Sequence, residues 1–519
     1  MNRLLCFILF FSFWVAVSAQ QPAESVFAYT DKDLYLAGER ICVRVDALID
    51  GKPSPSRVAY VEIADTHKMY AQCMVCLKDG QGWAEIALPT SMHSGCYQLA
   101  AYTRVSQEYG LDAIHRSIIG VINADKLSRL DDIIILPPDS CMNVNEHKWY
   151  KVGETISFPL PEFDASGCCI SVQKEGITAD IPYQYKLSPT AAEDSSVPVY
   201  PEIEGHIVRA RVADGNTSDV WMTRLALIGK TASLYDGKRQ QDGSFIYFTS
   251  GISGNMPVMV NAFDSTGQTI PMELTSPYLS LLPKNLPRLT VHCQEDALRS
   301  RAMAARKQAL VSESLSSDSL AYSLYFMSAV PDRFYDLDEY TQMNDVNEML
   351  LEFIKGVKKE KRHGRNQLYT YDPVTKSFAK WAALVLLDGM PVYDINEILN
   401  YDAHLIRYVQ VYSGIFNFGN SFCCGVISFI TRNGRLSNYK LKGGERLMSY
   451  AFPQDHPDYV SSSGSESNNL LWLPAVKDKE LKMTVPSSAG KYQVIIQGRK
   501  PNGETIRTVM TFKVEECYQ

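Results

Sequence analysis

Residues Leu384–Gly434, LVLLDGMPVYDINEILNYDAHLIRYVQVYSGIFNFGNSFCCGVISFITRNG, constrain the fold most tightly, because strand, turn, cap and helix signals follow one another there without a break. The apolar run Leu384–Leu387 predicts a strand, Asp388-Gly389 a turn, and Asp394 with Glu397 a capping box that opens a short helix through Leu399. A second strand is predicted over Ile406–Val411 and a third over Gly425–Ile430, stopped by Asn433-Gly434. Between them lies a loop rich in Gly, Asn and Phe. The order strand, helix, strand, strand describes a small α+β module.

Three pieces of this stretch, LLDGMPV at Leu386–Val392, RYVQVYSG at Arg407–Gly414 and GVISFITRNG at Gly425–Gly434, resemble the plug domain of TonB-dependent outer-membrane receptors. In those receptors a barrel follows the plug. Residues 435–519 hold at most about seven strands at roughly 10 residues per tilted strand plus turns, below the minimum of about eight. The polar run Ser461–Asn469 within them cannot lie in lipid. The resemblance therefore implies a plug-like domain without its own barrel.

A chain of 519 residues, 45% hydrophobic and 11% aromatic, has the length of several domains and the apolar content for well-formed cores. Its net charge of −7 argues against nucleic acid or an anionic membrane surface as partner. The one basic run, Lys358–Arg365, contains His363-Gly364 where a β-turn is expected, so it reads as a solvated hairpin. Residues 1–19 read as a secretory signal: Asn2-Arg3, an apolar core over Leu4–Val17, and a small-residue cleavage site at Val17-Ser18-Ala19. After its removal no transmembrane span is expected. Of the 12 cysteines Cys6 falls in this segment, which leaves an odd number, so at least one is expected to be unpaired or bonded to another molecule. Cys73-Met-Val-Cys76 has redox or zinc spacing, but in an apolar strand pattern residues three apart face opposite sides, and no second pair accompanies it. Cys168-Cys169 and Cys423-Cys424 receive the same reading as buried strand or loop cysteines.

The expected fold class is mainly β and multidomain, with tandem sandwiches plus the α+β module. Residues 20–124 form the first unit. Its opening places Tyr29-Thr30-Asp31-Lys32 before Tyr35-x-x-Gly38-Glu39, which resembles the signature of macroglobulin-type domains and implies a β-sandwich. Physically, Gly38 permits a positive φ in the turn and Ile41–Val45 alternates as a half-buried strand. Residues 125–199 are predicted as a second sandwich, since Tyr150-Lys151-Val152-Gly153-Glu154 echoes the first turn. Residues 200–290, with the Asp242-Gly243-Ser244-Phe245 turn, resemble transthyretin-like or carboxypeptidase-regulatory-like domains. A helical connector is predicted over 291–334, from the composition of Glu295–Ser314 and a partial apolar stripe at Leu298, Met303, Leu310 and Val311. The plug-like module is assigned 335–440, with a first helix over Val346–Ile354, and a linker 441–470. The last unit, 471–519, carries the hairpin Ser488–Glu504 and reads as a separate sandwich; its Gly490-Lys491-Tyr492-x-Val494 also resembles secreted Bacteroidetes sorting domains. The domain order as a whole resembles Bacteroidetes envelope proteins with a macroglobulin-type domain and a plug-like domain.

Catalytic motifs are missing from this pattern. Gly229-Lys230-Thr231 ends like a P-loop, but the earlier glycine position holds Arg224. No HExxH, GxSxG elbow or Cys-Gly-Glu-Gln thioester sequence occurs, and His206 and His404 stand singly, as structural histidines do. Asp388 is accounted for by its turn and Asp394 by helix capping. The expectation is therefore a non-enzyme with no catalytic residue, cofactor or metal ligand. The candidate partner-binding loop is Tyr412–Phe422, with Tyr412, Ile415, Phe416, Phe418 and Phe422 supplying contact area. Packing of Phe416 and Phe418 into the module core is the other reading of that loop. The expected role is protein interaction at the outer membrane, with an envelope protein as partner. The alternative is a surface-displayed adhesin or host-protein binder built of tandem sandwiches.

Overall fold

A computed structural model describes residues 24–123, 133–136, 148–174, 177–181, 199–228, 233–265, 268–293, 298, 301, 303, 325–362, 364–418, 421–433, 436–441, 446–456, 469–486 and 489–515. The signal-like segment 1–19, Gly229-Lys230-Thr231 and most of the Ser-rich run lie outside these residues.

The first sandwich comprises β1 (Glu24–Thr30), β2 (Leu34–Leu36), β3 (Arg40–Ile49), β4 (Lys52–Pro53), β5 (Val58–Ala64), β6 (Met69–Cys76), β7 (Gln81–Ala87), β8 (Gly95–Thr103) and β9 (His115–Ile122), with helix α1 (Arg104–Glu108) after β8. One sheet joins β1, β3, β4 and β7; the other runs β2-β9-β8-β5-β6. Val43, Val45, Val61, Ile63, Leu99 and Val121 fill the space between them. The opening motif forms a hydrogen-bonded knot. Gly38 takes φ 93°, and the Glu39 carboxylate accepts from the Leu36 N–H (3.1 Å), Lys32 Nζ (3.0 Å) and both Nε and an Nη of Arg301 (2.9 and 3.0 Å). Tyr35 donates to Asp31 (2.6 Å). Arg301, helical like Leu298 and Met303, also donates to the Leu34 carbonyl, so this part of the connector is pinned to the knot. Leu298 beside it is buried, while Met303 faces solvent.

A second sandwich begins after β10 (Ile133–Leu136), with β11 (Lys148–Lys151), β12 (Thr155–Pro159) and β13 (Cys168–Lys174). Here the chain leaves. β14 (Ile177–Asp180) pairs elsewhere, and a third sandwich follows: β15 (Ile207–Val212), β16 (Met222–Leu227), β17 (Ser233–Asp236), β18 (Lys238–Arg239), β19 (Phe245–Phe248), β20 (Asn255–Phe263), β21 (Thr269–Ile270) and β22 (Met272–Leu274). Its sheets run β18-β19-β15-β22 and β17-β16-β20-β21. Then β23 (Leu289–Cys293) forms a small sheet between β10 and β14, packed on the first sandwich through Leu34, Ile118, Leu289 and Val291.

The α+β module follows: β24 (Arg333–Asp336), α2 (Val346–Glu352), β25 (Val357–Arg362), β26 (Arg365–Asp372), β27 (Ser377–Phe378), β28 (Leu384–Leu387), β29 (Met390–Pro391), α3 (Ile395–Leu399), β30 (Ile406–Asn417) and β31 (Phe422–Thr431). Its main sheet has the order β24-β30-β31-β28-β29, with β28 and β31 parallel. The basic run forms the exposed β25–β26 hairpin. Asp394 caps α3 through the Asn396 N–H (3.0 Å), whereas Glu397 turns away to accept from Tyr439 (2.5 Å), so the expected capping box is only half made.

The chain then returns in two steps. β32 (Leu447–Ala451) adds to β20 of the third sandwich. β33 (Asn469–Val476), β34 (Glu480–Thr484), β35 (Gly490–Arg499) and β36 (Thr505–Glu515) complete the second sandwich, in a sheet β11-β36-β35-β13-β33 with β12 and β34 paired opposite. Three expected boundaries are corrected by these pairings. Residues 471–519 are not a separate unit, 125–199 does not close on itself, and 441–470 contains a sheet strand rather than only linker. The physical reason is shared burial: Ile156, Phe158, Ile170 and Val172 sit in one core with Leu481, Tyr492, Val494, Ile496 and Phe512. The fold is mainly β, with tandem sandwiches nested by insertion.

Candidate interaction site

Strands β30 and β31 pair antiparallel out to Asn417 and Phe422, so most of the segment expected as a loop is strand. Aromatic residues suit extended backbone, and beyond the bulge Ile415, Phe416 and Asn417 pair with Cys424, Cys423 and Phe422. A register shift lies between Tyr412 and Ile415, with Gly414 at φ 100° inside it. Such a bulge re-aims the side chains beyond it. Tyr412 is buried, donates to Gln410 Oε1 (2.7 Å) and accepts from the Phe326 N–H (2.9 Å). Phe416 and Phe418 pack against Phe326 with ring centroids 5.8 and 6.1 Å apart. These three of the five candidates belong to the module core, which corrects their assignment as contact residues.

The remaining two face solvent together. Ile415 pairs with Cys424 across the hairpin, and Phe422 is two residues from Cys424, so both share one face. They are 68% and 51% exposed. Trp381, 63% exposed, sets its ring edge-on to Phe422 at 6.4 Å and completes the patch. Sequence reasoning missed Trp381. It stands alone between Lys380 and Ala382, with no alternation to mark its face, and a lone large aromatic beside a charged residue was the only signal.

The hairpin carrying this patch is held from behind. Arg224 of β16 lies over the Phe418 ring at 5.9 Å and donates to Ser421 Oγ (3.0 Å). Thr370 Oγ1 of β26 donates to the Cys424 carbonyl (3.1 Å). Gly425 sits at φ 95° where an added Cβ would collide with the Thr370 side chain, so only glycine allows this approach. Below it, Asp388 holds a positive φ of 49°, and its carboxylate accepts from Thr431 N–H and Oγ1 (both 2.7 Å) and from the Leu436 N–H (2.8 Å). Burial raises the Asp388 pKa, against the pull of those hydrogen bonds. This carboxylate ties the turn between β28 and β29 to the end of β31.

The residues with reactive chemistry are occupied structurally. Cys73 and Cys423 are buried free thiols, pushed up by burial to about 12 and about 11, so neither is a thiolate at neutral pH. His206 is buried between Glu202 (2.8 Å) and the Tyr450 hydroxyl (2.7 Å) at the junction of the first and third sandwiches. His404 is exposed and paired with Asp402. Among the described residues no three His, Cys, Asp or Glu side chains are grouped to hold a metal, and no helix is long and apolar enough to cross a membrane.

No protein-family model and no curated protein matches the sequence. Among solved structures, trypsin-activated alpha-2-macroglobulin from Escherichia coli is similar over 96% of this chain and 24% of that chain, at 11% identity and a TM-score of 0.18. Escherichia coli alpha-2-macroglobulin activated by porcine elastase aligns over 96% of this chain and 31% of its own, at 10% identity and a TM-score of 0.18. The D0-D1 domain of intimin aligns over 52% of this chain and all of its own, at 11% identity and a TM-score of 0.17. The chain thus spans about a third or less of these macroglobulins' length. Scores this low carry no argument about function, and the fold assignment stands on the strand pairings.

Proposed function

We propose that the protein is a non-catalytic, exported cell-envelope protein that binds another envelope protein at the outer membrane through its α+β module. The observation that supports this reading is the patch of Ile415, Phe422 and Trp381 on a hairpin braced by the third sandwich. Large aromatics on a rigid element supply interface area at low entropic cost. The sandwiches act as the frame that presents it. Photo-crosslinking from position 415 or 422 in the native envelope tests the proposal. One shared partner is expected from both positions and not from a control at Val509, an exposed residue of the second sandwich. Equal capture from all three positions, or none from the hairpin, defeats it.

A displayed adhesin is the second reading, favoured by the exposed Trp149 and Trp221 on the second and third sandwiches, 58% and 72% exposed. Protease treatment of intact cells separates the two: a displayed protein is cleaved and a periplasmic one survives.

A further inference from the structure

At the junction of the first and third sandwiches, a cavity of about 180 Å³ gathers three guanidinium groups. Arg104 comes from α1 of the first sandwich, and Arg209 and Arg211 from one face of β15 in the third, two residues apart. Gln107, Thr275 and Ser276 contribute further polar groups to the lining, and among the described residues no carboxylate lines it. Asp242 lies outside the lining and serves two of the arginines at once, at 3.3 Å from Arg209 and 3.2 Å from Arg211, while itself accepting from Ser244 N–H and Oγ. Arg104 is set over the Tyr60 ring at 4.6 Å and donates to Gln107 Oε1 (3.0 Å) and the Pro277 carbonyl.

The lining itself sets three guanidiniums and no carboxylate around a half-enclosed space, while from outside it Asp242 pairs with Arg209 and Arg211, Glu202 acts on Arg104, and Glu273 stands opposite Arg211 on β22. Burial first, and then repulsion from Arg104 and Arg211, lowers the Arg209 pKa although Asp242 opposes it. An anion entering the cavity relieves that repulsion and meets donors in the fork geometry that suits tetrahedral oxyanions. The volume exceeds what one or two waters need and leaves room for a small organic group beyond the anion.

We infer that this junction cavity binds a phosphoryl group, either as free phosphate or on a small phosphomonoester, with Arg209 and Arg211 as its principal donors. The site is independent of the apolar patch. Because the ligand bridges residues of two sandwiches, binding also ties the first sandwich to the third.

Titration calorimetry of the full mature chain with inorganic phosphate, and separately with glycerol 3-phosphate, tests the inference. Saturable binding is expected for at least one of them. Equal affinity for both assigns free phosphate, and tighter binding of the ester assigns the phosphomonoester. Arg211→Gln, half-exposed and so little needed for folding, is expected to weaken binding about tenfold, the loss of one charge-assisted contact. Arg211→Lys is expected to fall between the two, and Lys361→Gln on the exposed β25–β26 hairpin to leave affinity unchanged. No saturable binding up to roughly 10 mM, or equal weakening by Lys361→Gln, overturns the inference. Should Arg211→Gln unfold, the comparison of Arg211→Lys with Lys361→Gln decides the matter alone.

Discussion

The first and second sandwiches share the plan of their five-stranded sheet and differ most in one connection. In the first, the five-stranded sheet runs β2-β9-β8-β5-β6; in the second, β11-β36-β35-β13-β33, strand for strand. The short strand before each Tyr-x-x-Gly-Glu turn pairs parallel with the last strand of its sandwich, β2 with β9 and β11 with β36. Opposite them, β3 pairs β7 and β12 pairs β34. The first sandwich joins β5 to β6 by the short turn 65–68, whereas the second leaves from β13 at Lys174 and returns to β33 at Asn469. The third sandwich and the α+β module occupy the interval. A hairpin loop is thus where this sandwich tolerates a large insertion, as expected where both ends lie close together at a surface.

The two copies also differ in how their motif turns are charged. Glu39 and Glu154 each accept from the backbone N–H three residues back, at 3.1 and 2.9 Å, and Gly38 and Gly153 both hold positive φ, 93° and 81°. Glu39 is buried between Lys32 and Arg301, while Glu154 faces solvent. The same turn is a structural knot in one sandwich and a surface turn in the other.

The largest expected effect comes from ending the chain after residue 456. That removes Leu481, Val485, Tyr492, Val494, Ile496, Phe512 and Val514 from the second core. At roughly 1.5–3 kcal/mol each their loss exceeds about 10 kcal/mol, as much as a whole domain's stability. By hydrogen exchange, β12 and β13 are expected to lose protection entirely while β3, β5 and β8 of the first sandwich keep it. Protected β13 amides in the truncated chain would break the comparison.

Next in size is Glu39→Gln, which leaves Arg301 and Lys32 buried without their counter-charge and is expected to cost about 3–5 kcal/mol in denaturant unfolding. Glu154→Gln is expected to change stability by less than about 0.5 kcal/mol. Acid sharpens the same contrast. Burial alone would raise the Glu39 carboxyl, but Arg301 and then Lys32 hold it at about 2, below its ordinary 4.5. Its stabilising contribution is therefore present above the unfolded pKa and lost as pH falls from about 4.5 toward 2, on the order of 3 kcal/mol in all. Unfolding of the first sandwich followed against pH is expected to show this loss, and Glu39→Gln to remove it. A smaller effect than that of Glu39→Gln should be shared: Gly153→Ala and Gly38→Ala each force a side chain into positive φ, at about 1 kcal/mol or somewhat more.

What could be read in the sequence was local. The Tyr35-x-x-Gly38-Glu39 turn and its echo at Tyr150–Glu154 were legible because one glycine and one carboxylate three residues from its donor suffice to build them. The Leu384–Leu387 strand, the Asp388 turn and the α3 cap were legible for the same reason. The partner of β13 was not, since it lies beyond residue 468 and strand pairing leaves no mark in the composition of either strand. Ser461–Asn469 even pointed the other way, toward a boundary. In the candidate site the aromatic content of Tyr412–Phe422 was visible, but the bulge at Gly414 decides which side chains face out. It buries Tyr412, exposes Ile415, and brings Phe422 beside a tryptophan that nothing nearby in sequence announces.

The nesting of the chain is tested most directly by a cysteine pair at Ser157 and Lys482, exposed residues opposite each other on β12 and β34. The expected result is an intrachain disulfide, found by peptide mapping, joining the 157 peptide to the 482 peptide, since facing side chains of paired strands lie within bridging reach. Cysteines at 157 and 482 that both stay free under oxidation, in a chain whose first sandwich is folded, would contradict it.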